Sequence, residues 1–171
     1  MTPASYKNEI QLRRMTLADL PQVEALDQRC FSDPWPKGSF LYELRPDSSS
    51  ICLVAELGND PLAAQIVGVT VLWVILDEAH VGTLAVLPGY RGKGIARRLL
   101  ANALLQSYQA GARKSLLEVR AGNQPALHLY YGFGFEVVGL RPGYYEDNHE
   151  DAWLLTLPRL DPQVLEKLAR I

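Results

Sequence analysis

Glycines and cationic side chains occur together in residues 86–100, which read VLPGYRGKGIARRLL. Here an apolar strand pattern gives way to a helix pattern. Glycine lets the backbone approach a ligand closely, and free main-chain N–H groups at a helix N-terminus attract anions. Arg91 and Lys93 in the turn, with two arginines one turn later, can add charge-assisted hydrogen bonds to phosphate. The stretch therefore favours a diphosphate ligand, although a solvated basic helix surface would show the same charges.

Two common phosphate motifs do not fit this stretch. The sequence GYRGKG at residues 89–94 lacks the Lys-Ser or Lys-Thr ending of a nucleotide P-loop. A dinucleotide fingerprint would need a third small residue where Arg97 stands. ATP-type and NAD-type ligands are therefore disfavoured.

Two further residues have side chains suited to moving protons. Glu118 lies in the apolar strand pattern SLLEV, where a carboxylate is unfavourable unless it faces a wet cleft, a partner or the solvent. Tyr130 lies on a short helical segment, and a phenol with an ordinary pKa of about 10 stays protonated at neutral pH. Tyr131 points about 100° away on a helix, so only one of the two tyrosines can face a ligand. From the residues alone, Tyr130 also fits an aromatic that packs on the sheet with its hydroxyl in water.

Periodicity and turn residues predict the elements that position these side chains. The expected order is a strand, a helix opened by Thr16 and Asp19, a short helix, three strands, a helix, a strand, a helix, a strand hairpin and a last helix after Asp161. A turn at residues 59–61 is expected to join the first two apolar strands of the central three. This order favours one α/β domain with a mixed sheet over a doubly wound parallel sheet.

Composition narrows the classes of protein that remain. The chain has 171 residues, a formal net charge of −2 and two cysteines without metal-ligand spacing. These values argue against broad nucleic-acid binding, a disulfide scaffold and a metal site. The longest apolar run, residues 66–76, is shorter than the roughly 20 residues that span a bilayer. We expect a cytoplasmic protein that binds neither nucleic acid nor membrane.

Several motifs together resemble the GCN5-related N-acetyltransferase (GNAT) family. The pattern R-x-x-G-x-A at residues 91–96, which follows LAVLP and precedes an amphipathic helix, is similar to the family's acetyl-CoA motif. The resemblance extends to LEVRAGN at 117–123, LYYGFGF at 129–135, FSDPWP at 31–36 and YYEDNHEDAWLL at 144–155. Within the family, these motifs resemble bacterial enzymes that acetylate the N-terminal alanine of a small-subunit ribosomal protein. About nine-tenths of the chain, residues 9–158, is covered.

The resemblance implies a fold and a donor site. The fold is a mixed, mostly antiparallel sheet of about seven strands flanked by helices, with strands splayed where acetyl-CoA binds. Residues 1–171 would form one domain, with a core at about 9–158 and a helical extension at 159–171. Acetyl-CoA is the implied donor, without a metal. The implied binding residues are Leu84, Ala85 and Val86 for the pantetheine arm, Arg91, Gly92, Lys93, Gly94, Ile95 and Ala96 for the pyrophosphate, and Asn123 and Tyr130 as further contacts.

The resemblance also implies roles for the reacting groups. Glu118 is expected to act as general base through water, and Tyr130 as general acid toward the departing thiolate. An N-terminal α-amine has an ordinary pKa of about 7.7–8.0 against about 10.4 for lysine, which suits a weak base. Trp35, Tyr144 and Tyr145 are the expected acceptor contacts.

The expected acceptor is a protein or peptide N-terminus, that of a ribosomal protein in particular, and the expected state is a monomer. An acidic hairpin at residues 144–151 would suit an acceptor with basic residues after the first. Acetylation of a small amine or a protein lysine, and a non-catalytic acetyl-CoA-binding module, remain alternatives.

Overall fold

A computed structural model describes residues 10–58, 60 and 63–170. In this part of the chain, seven strands form one sheet in the order β1-β2-β3-β4-β5-β7-β6. The strands are β1 (Ile10–Arg14), β2 (Ser50–Leu57), β3 (Gln65–Ile75), β4 (Glu78–Val86), β5 (Lys114–Arg120), β6 (Glu136–Arg141) and β7 (Ala152–Leu157). Only β4 and β5 are parallel, and the other neighbours are antiparallel. The predicted mixed, mostly antiparallel sheet is confirmed.

The helices follow the predicted order. Within the described residues they are α1 (Leu20–Cys30), α2 (Ser39–Glu43), α3 (Ile95–Gln109), α4 (Gln124–Phe133) and α5 (Pro162–Arg170). Asp161 caps α5 as expected, because its Oδ1 accepts a hydrogen bond from Gln163 N at 2.9 Å. The predicted turn at residues 59–61 lies outside the described residues, apart from Asp60. Across 10–58, 60 and 63–170, the helices are too short or too polar to span a bilayer.

Helix α3 packs on one face of the sheet, against β2, β3 and β4. Leu99, Leu100 and Leu104 of this helix are fully buried. Gly68 lets the helix approach β3 closely, because a Cβ there would lie 2.9 Å from Leu99 Cδ1. The close approach fixes the N-terminal end of α3 beside the end of β4.

An aromatic stack covers the opposite face. Side chains alternate along a strand, so Trp73 lies on the face away from Gly68. Trp35 stacks on Trp73 with ring centroids 5.9 Å apart and on Phe40 at 4.8 Å. Gly82 of β4 leaves room for the indole, since a Cβ there would lie 2.7 Å from the Trp73 ring. The segment after α1 is thereby held against the sheet.

The parallel pair β4 and β5 is joined at one end and open at the other. Residues Glu78 to His80 pair with Lys114 to Leu116, and the described pairing ends there. The register between β3 and β4 shifts at the same place, which leaves Gly82 as an extra residue in β4. The two strands part beyond this bulge. The predicted splaying of the sheet is therefore present, and it creates a gap at the C-terminal ends of both strands.

Candidate active site

A cleft of about 920 Å³ occupies the gap between β4 and β5. Its walls are the ends of the two strands, the first turn of α3, one face of α4 and residues 30–32. The cleft is lined by all eleven residues predicted for the donor site: Leu84, Ala85, Val86, Arg91, Gly92, Lys93, Gly94, Ile95, Ala96, Asn123 and Tyr130. Residues that the sequence predicts from separate motifs thus meet in one cavity.

The glycine-rich turn has the backbone conformation that its glycines suggest. Gly92 has φ +73° and Gly94 has φ +80°, which are left-handed values that favour glycine. A Cβ at Gly92 would meet nothing within 4 Å, so its conformation and not crowding calls for glycine there. Gly94 is the N-cap of α3, and the turn therefore directs main-chain N–H groups of the first helical turn toward the cleft.

Arg91 links this turn to the strand before it. Its Nε donates a hydrogen bond to the Val86 carbonyl at 2.8 Å. The Cys30 thiol lies 3.5 Å from the same oxygen, and burial raises the pKa of this thiol above its ordinary value. Lys93 lies 5.2 Å from the ring centroid of Tyr90. Two cationic side chains are therefore held at the helix end of the cleft.

The main chain of β4 also faces the gap. Leu87 N donates to Val67 O at 2.9 Å, so Leu87 directs its amide toward β3. Successive residues of an antiparallel strand direct their main-chain groups to opposite edges. Val86 and, two residues earlier, Leu84 therefore point their amides toward the parted side. These are the groups that a ligand in the cleft would meet.

The register of α4 separates the two adjacent tyrosines. Asn123 is the N-cap of the helix, and its Oδ1 accepts a hydrogen bond from Ala126 N at 3.2 Å. Tyr130 is 7% exposed and lines the cleft, whereas Tyr131 is 51% exposed on the outer face. The Tyr130 ring packs edge-to-face on Phe135 with centroids 5.6 Å apart. Burial raises the pKa of Tyr130 far above its ordinary value, so its phenol is protonated at neutral pH.

Glu118 lies beside the cleft on β5. Its carboxylate is 3.4 Å from Arg141 Nη1, and one third of the side chain is exposed. The hydrogen bond between Glu118 and the Tyr144 hydroxyl raises the pKa of Tyr144. Among the described residues, the cleft lining includes Arg120 from β5 but does not include Glu118. The carboxylate therefore faces solvent, Arg141 and Tyr144 beside the cleft, and its role as general base stays a prediction.

Two tyrosines of the 144–151 hairpin lie next to Glu118. The rings of Tyr144 and Tyr145 are nearly perpendicular, with centroids 5.1 Å apart. Burial raises the pKa of Tyr145 to about 12, and the charge of Glu118 acts in the same direction. Tyr145 in turn contributes to the raised pKa of Tyr130. Glu118, Tyr144 and Tyr145 thus form one cluster, and Arg120, which lies over the Tyr145 ring, joins this cluster to the cleft lining.

Arg120 organises this cluster, and the sequence interpretation did not include it. Its Nη2 donates to both carboxylate oxygens of Asp147, at 2.9 and 3.0 Å, and its Nη1 donates to Glu150 at 3.2 Å. The guanidinium lies 3.8 Å from the centroid of the Tyr145 ring. Asp147 also accepts from the Ser32 hydroxyl at 2.7 Å. Arg120 therefore fastens the 144–151 hairpin to β5, and Ser32 ties the same hairpin to the segment after α1.

This network qualifies the expected acidic lining. The Asp147 carboxylate accepts hydrogen bonds from Arg120 and Ser32, and the Glu150 carboxylate accepts them from Arg120 and Gly122 N. The hydrogen bond from Ser32, followed by that from Arg120, lowers the pKa of Asp147, and the hydrogen bond from Gly122 N, followed by that from Arg120, lowers the pKa of Glu150. Asp147 and Glu150 therefore share one positive charge within the protein, and the hairpin attracts a basic acceptor less than the sequence suggested.

Trp35 lies apart from the cleft. Besides its stacking, its main-chain N donates to Asp27 Oδ2 at 2.7 Å. It lines a second cavity, of about 310 Å³, together with Asp27 and Phe40. Its neighbours Phe31 and Ser32 line the large cleft instead.

The cleft also contains residues that the sequence interpretation left out. They are Cys30, Phe31, Ser32, Tyr90, Arg120, Pro125, Ala126, His128, Leu129, Gly132, Phe133 and Leu168. Arg97, one of the two arginines considered for phosphate, also lines the cleft. The sequence could have indicated Arg120 as a site residue, because it stands two residues after Glu118 and so lies on the same face of β5. No pattern in the sequence indicated that Leu168, from the last described helix, would line the cleft.

The fold and the cleft define an acetyltransferase of the GNAT type. The model of the acetyltransferase (GNAT) family matches residues 20–135, and the chain belongs to this family. A Bacillus subtilis protein named as a putative ribosomal protein bS18-alanine N-acetyltransferase is 34% identical over 149 residues, which is 87% of this chain and 95% of that protein.

Two solved structures extend the comparison. The crystal structure of the ribosomal-protein-S18-alanine N-acetyltransferase from Escherichia coli has a TM-score of 0.77 and 27% identity, and the match covers 89% of this chain and 95% of that one. The NatC complex bound to Gag peptide and CoA contains a chain with a TM-score of 0.79 and 25% identity, over 89% of this chain and 99% of that one. The predicted family and enzyme class are confirmed.

Proposed function

We propose that this acetyltransferase transfers the acetyl group of acetyl-CoA to the N-terminal α-amine of a protein, and that its acceptor is the N-terminal alanine of a small-subunit ribosomal protein. The observation that carries the proposal is the cleft itself. Its lining includes a glycine turn at a helix N-terminus and the phenol of Tyr130, and Glu118 stands on β5 two residues before Arg120, which also lines it. The names of the similar bacterial enzymes support this acceptor.

The residues present fit acetyl-CoA as the donor substrate. Gly92 and Gly94 provide the left-handed turn that brings main-chain N–H groups to a pyrophosphate. Arg91 and Lys93 place positive charge beside that turn. Acetyl-CoA supplies the acetyl thioester when it is bound. The amides at Leu84 and Val86 then hold the pantetheine arm, and an amide near Val86 polarises the thioester carbonyl.

Glu118 and Tyr130 divide the proton transfers between them. Glu118 accepts the proton that the amine loses on forming the new C–N bond, through a water molecule because the carboxylate stands beside the cleft. Tyr130 donates its phenolic proton to the sulfur as the C–S bond breaks, and its burial keeps that proton in place until then. One proton is taken up and one is released, so the exchange balances.

The acceptor side is formed by the hairpin after β6. Tyr144 is hydrogen-bonded to Glu118, its ring contacts that of Tyr145, and Arg120 lies over the Tyr145 ring. An α-amine suits this site because a useful fraction is neutral near pH 7–8, unlike a lysine with its pKa of about 10.4. Trp35 acts indirectly: its stacking on Phe40 and Trp73 holds the segment that carries Phe31 and Ser32 against the sheet.

A comparison of matched acceptors tests the proposal. The purified protein is incubated with acetyl-CoA and a peptide that starts with alanine, the same peptide with a blocked N-terminus and an internal lysine, and a panel of free amino acids and polyamines. Tandem mass spectrometry then locates the acetyl group. We expect acetylation of the free alanine α-amine and at least about a hundredfold lower kcat/KM for lysine and the small amines. Faster turnover of any small amine than of the alanine peptide would refute the proposed acceptor class.

A further inference from the structure

The last described helix, α5, is fastened to α3. Leu165 is 2% exposed, and Leu168 and Ala169 pack against the core. Just before the helix, Leu160 N donates to Arg113 O at 2.7 Å. The elements α3 and α5 are in extensive contact. Helix α5 is therefore fixed to the helix whose N-terminal end faces the glycine turn.

One residue of α5 reaches the cleft. Leu168 lines the cavity together with Ile95, Ala96 and Arg97 of the first turns of α3 and with residues of α4. It is partly buried. The cleft-lining residues of α3 are those directly after Gly94, and α5 packs on α3, so we place Leu168 on the side of the cleft where the phosphates of the donor are expected.

We propose that Leu168 is part of the donor site and that it contacts the phosphate-bearing portion of bound coenzyme A. This inference rests on the proposed use of acetyl-CoA, and it assigns to α5 a role in donor affinity. The Leu168 side chain supplies apolar contact area to the carbon skeleton that carries the phosphates, next to the anionic groups. Helix α3 supplies main-chain donors from the other side.

A pair of substitutions with opposite charge separates this role from a structural one. Leu168→Glu and Leu168→Lys introduce polar side chains of similar length, so a merely structural role would make them similarly damaging. Next to the phosphates they differ, because one repels and the other attracts the ligand. We expect the Kd for coenzyme A, measured by calorimetry at low salt, to be about tenfold higher for the glutamate variant than for the lysine variant. The ratio should shrink at high salt.

Gln163 provides the matched control. It is exposed, and it lies five residues before Leu168, about 140° around the same helix. Gln163→Glu and Gln163→Lys make the same change in net charge away from the cleft, and their Kd values should agree within about twofold. An equally small ratio at Leu168 would overturn the inference.

Two further results keep the test decisive. Leu168→Ala retains the docking residue Leu165, and we expect a three- to tenfold increase in the Kd for coenzyme A, since about three carbon atoms of apolar contact are lost. Unchanged affinity of this variant would also refute the proposal, even if the charged variants fail to fold. Failure of the unmodified protein to bind coenzyme A would instead refute the proposed function, so the two failures are distinguishable.

Discussion

Replacing Tyr130 by phenylalanine is expected to lower kcat by about a hundredfold or more while the fold and donor binding persist. The change removes one hydroxyl from a ring that is 7% exposed and packs edge-to-face on Phe135. Phenylalanine keeps that ring contact, so stability should change by less than about 1 kcal/mol. The loss of activity would then report on the hydroxyl alone.

The magnitude follows from the environment of the phenol. A hydrogen bond to a charged group contributes about 1.5–3 kcal/mol, and each 1.36 kcal/mol is a factor of ten in rate, which gives about 10- to 150-fold for a hydrogen bond to the thiolate. Proton transfer by a placed general acid contributes about 10²- to 10⁴-fold. Because burial raises the pKa of Tyr130, the acid stays protonated throughout the usual assay range. The unmodified enzyme should therefore lose no activity through Tyr130 below about pH 10.

The assay is steady-state release of free coenzyme A, detected with a thiol reagent, at varied acetyl-CoA and peptide concentrations. Tyr131→Phe is the control, because this neighbour is 51% exposed on the other side of α4 and should keep full activity. A Tyr130→Phe enzyme with kcat within about threefold of the unmodified value would refute Tyr130 as the general acid.

Three further changes test other parts of the site and the fold. Glu118→Gln should lower kcat by about a hundredfold at pH 7 and by less at pH 9, since the α-amine is largely neutral above its pKa of about 8 and then needs less help from a base; a pH–rate profile checks this. Arg120→Lys should raise the peptide KM by about tenfold, because lysine cannot make the paired hydrogen bonds to Asp147 or stack on Tyr145; steady-state kinetics measure it. Asp19→Asn should lower the free energy of unfolding at pH 7 by about 1–3 kcal/mol, as measured by urea denaturation, because Asp19 is buried and paired with Arg13.

The outcomes that would contradict these three expectations are specific. A Glu118→Gln enzyme with the same fractional loss at pH 7 and pH 9 would point away from a base. An unchanged peptide KM in Arg120→Lys would mean that the hairpin needs no such support. Arg13 lowers the pKa of Asp19, so this stabilisation is present above about pH 3.9 and disappears as the pH falls through the lowered value. A stability difference that persists below that range would refute the ionic origin of the effect.

The residues of the donor side, Tyr130 among them, were predicted through the resemblance of their motifs to a known family, and such motifs are short because the conformations they encode are local. Gly92 and Gly94 occupy left-handed positions in a turn of a few residues, and a glycine pattern records such positions directly. The helical turn of 100° per residue separated Tyr130 from Tyr131. The order of strands and helices followed from apolar periodicity in the same way.

The acceptor side could be predicted only in part, because it depends on contacts between distant segments. The bond from Ser32 to Asp147 joins residues 115 positions apart. Trp35 stacks on Trp73, and this contact depends on where β3 places Trp73. The position of Leu168 in the cleft lining depends on how α5 packs on α3. Such contacts arise from tertiary packing, which leaves no periodic signal in the sequence.

Mass spectrometry of protein N-termini, from cells with and without this chain, tests the central claim most directly. The account predicts that the acetylated N-terminal alanine of a small-subunit ribosomal protein appears only when the chain is present. The Glu118→Gln variant should restore much less of this modification than the unmodified chain does. Unchanged acetylation of every detected N-terminus, together with acetylated small amines that depend on the chain, would contradict it.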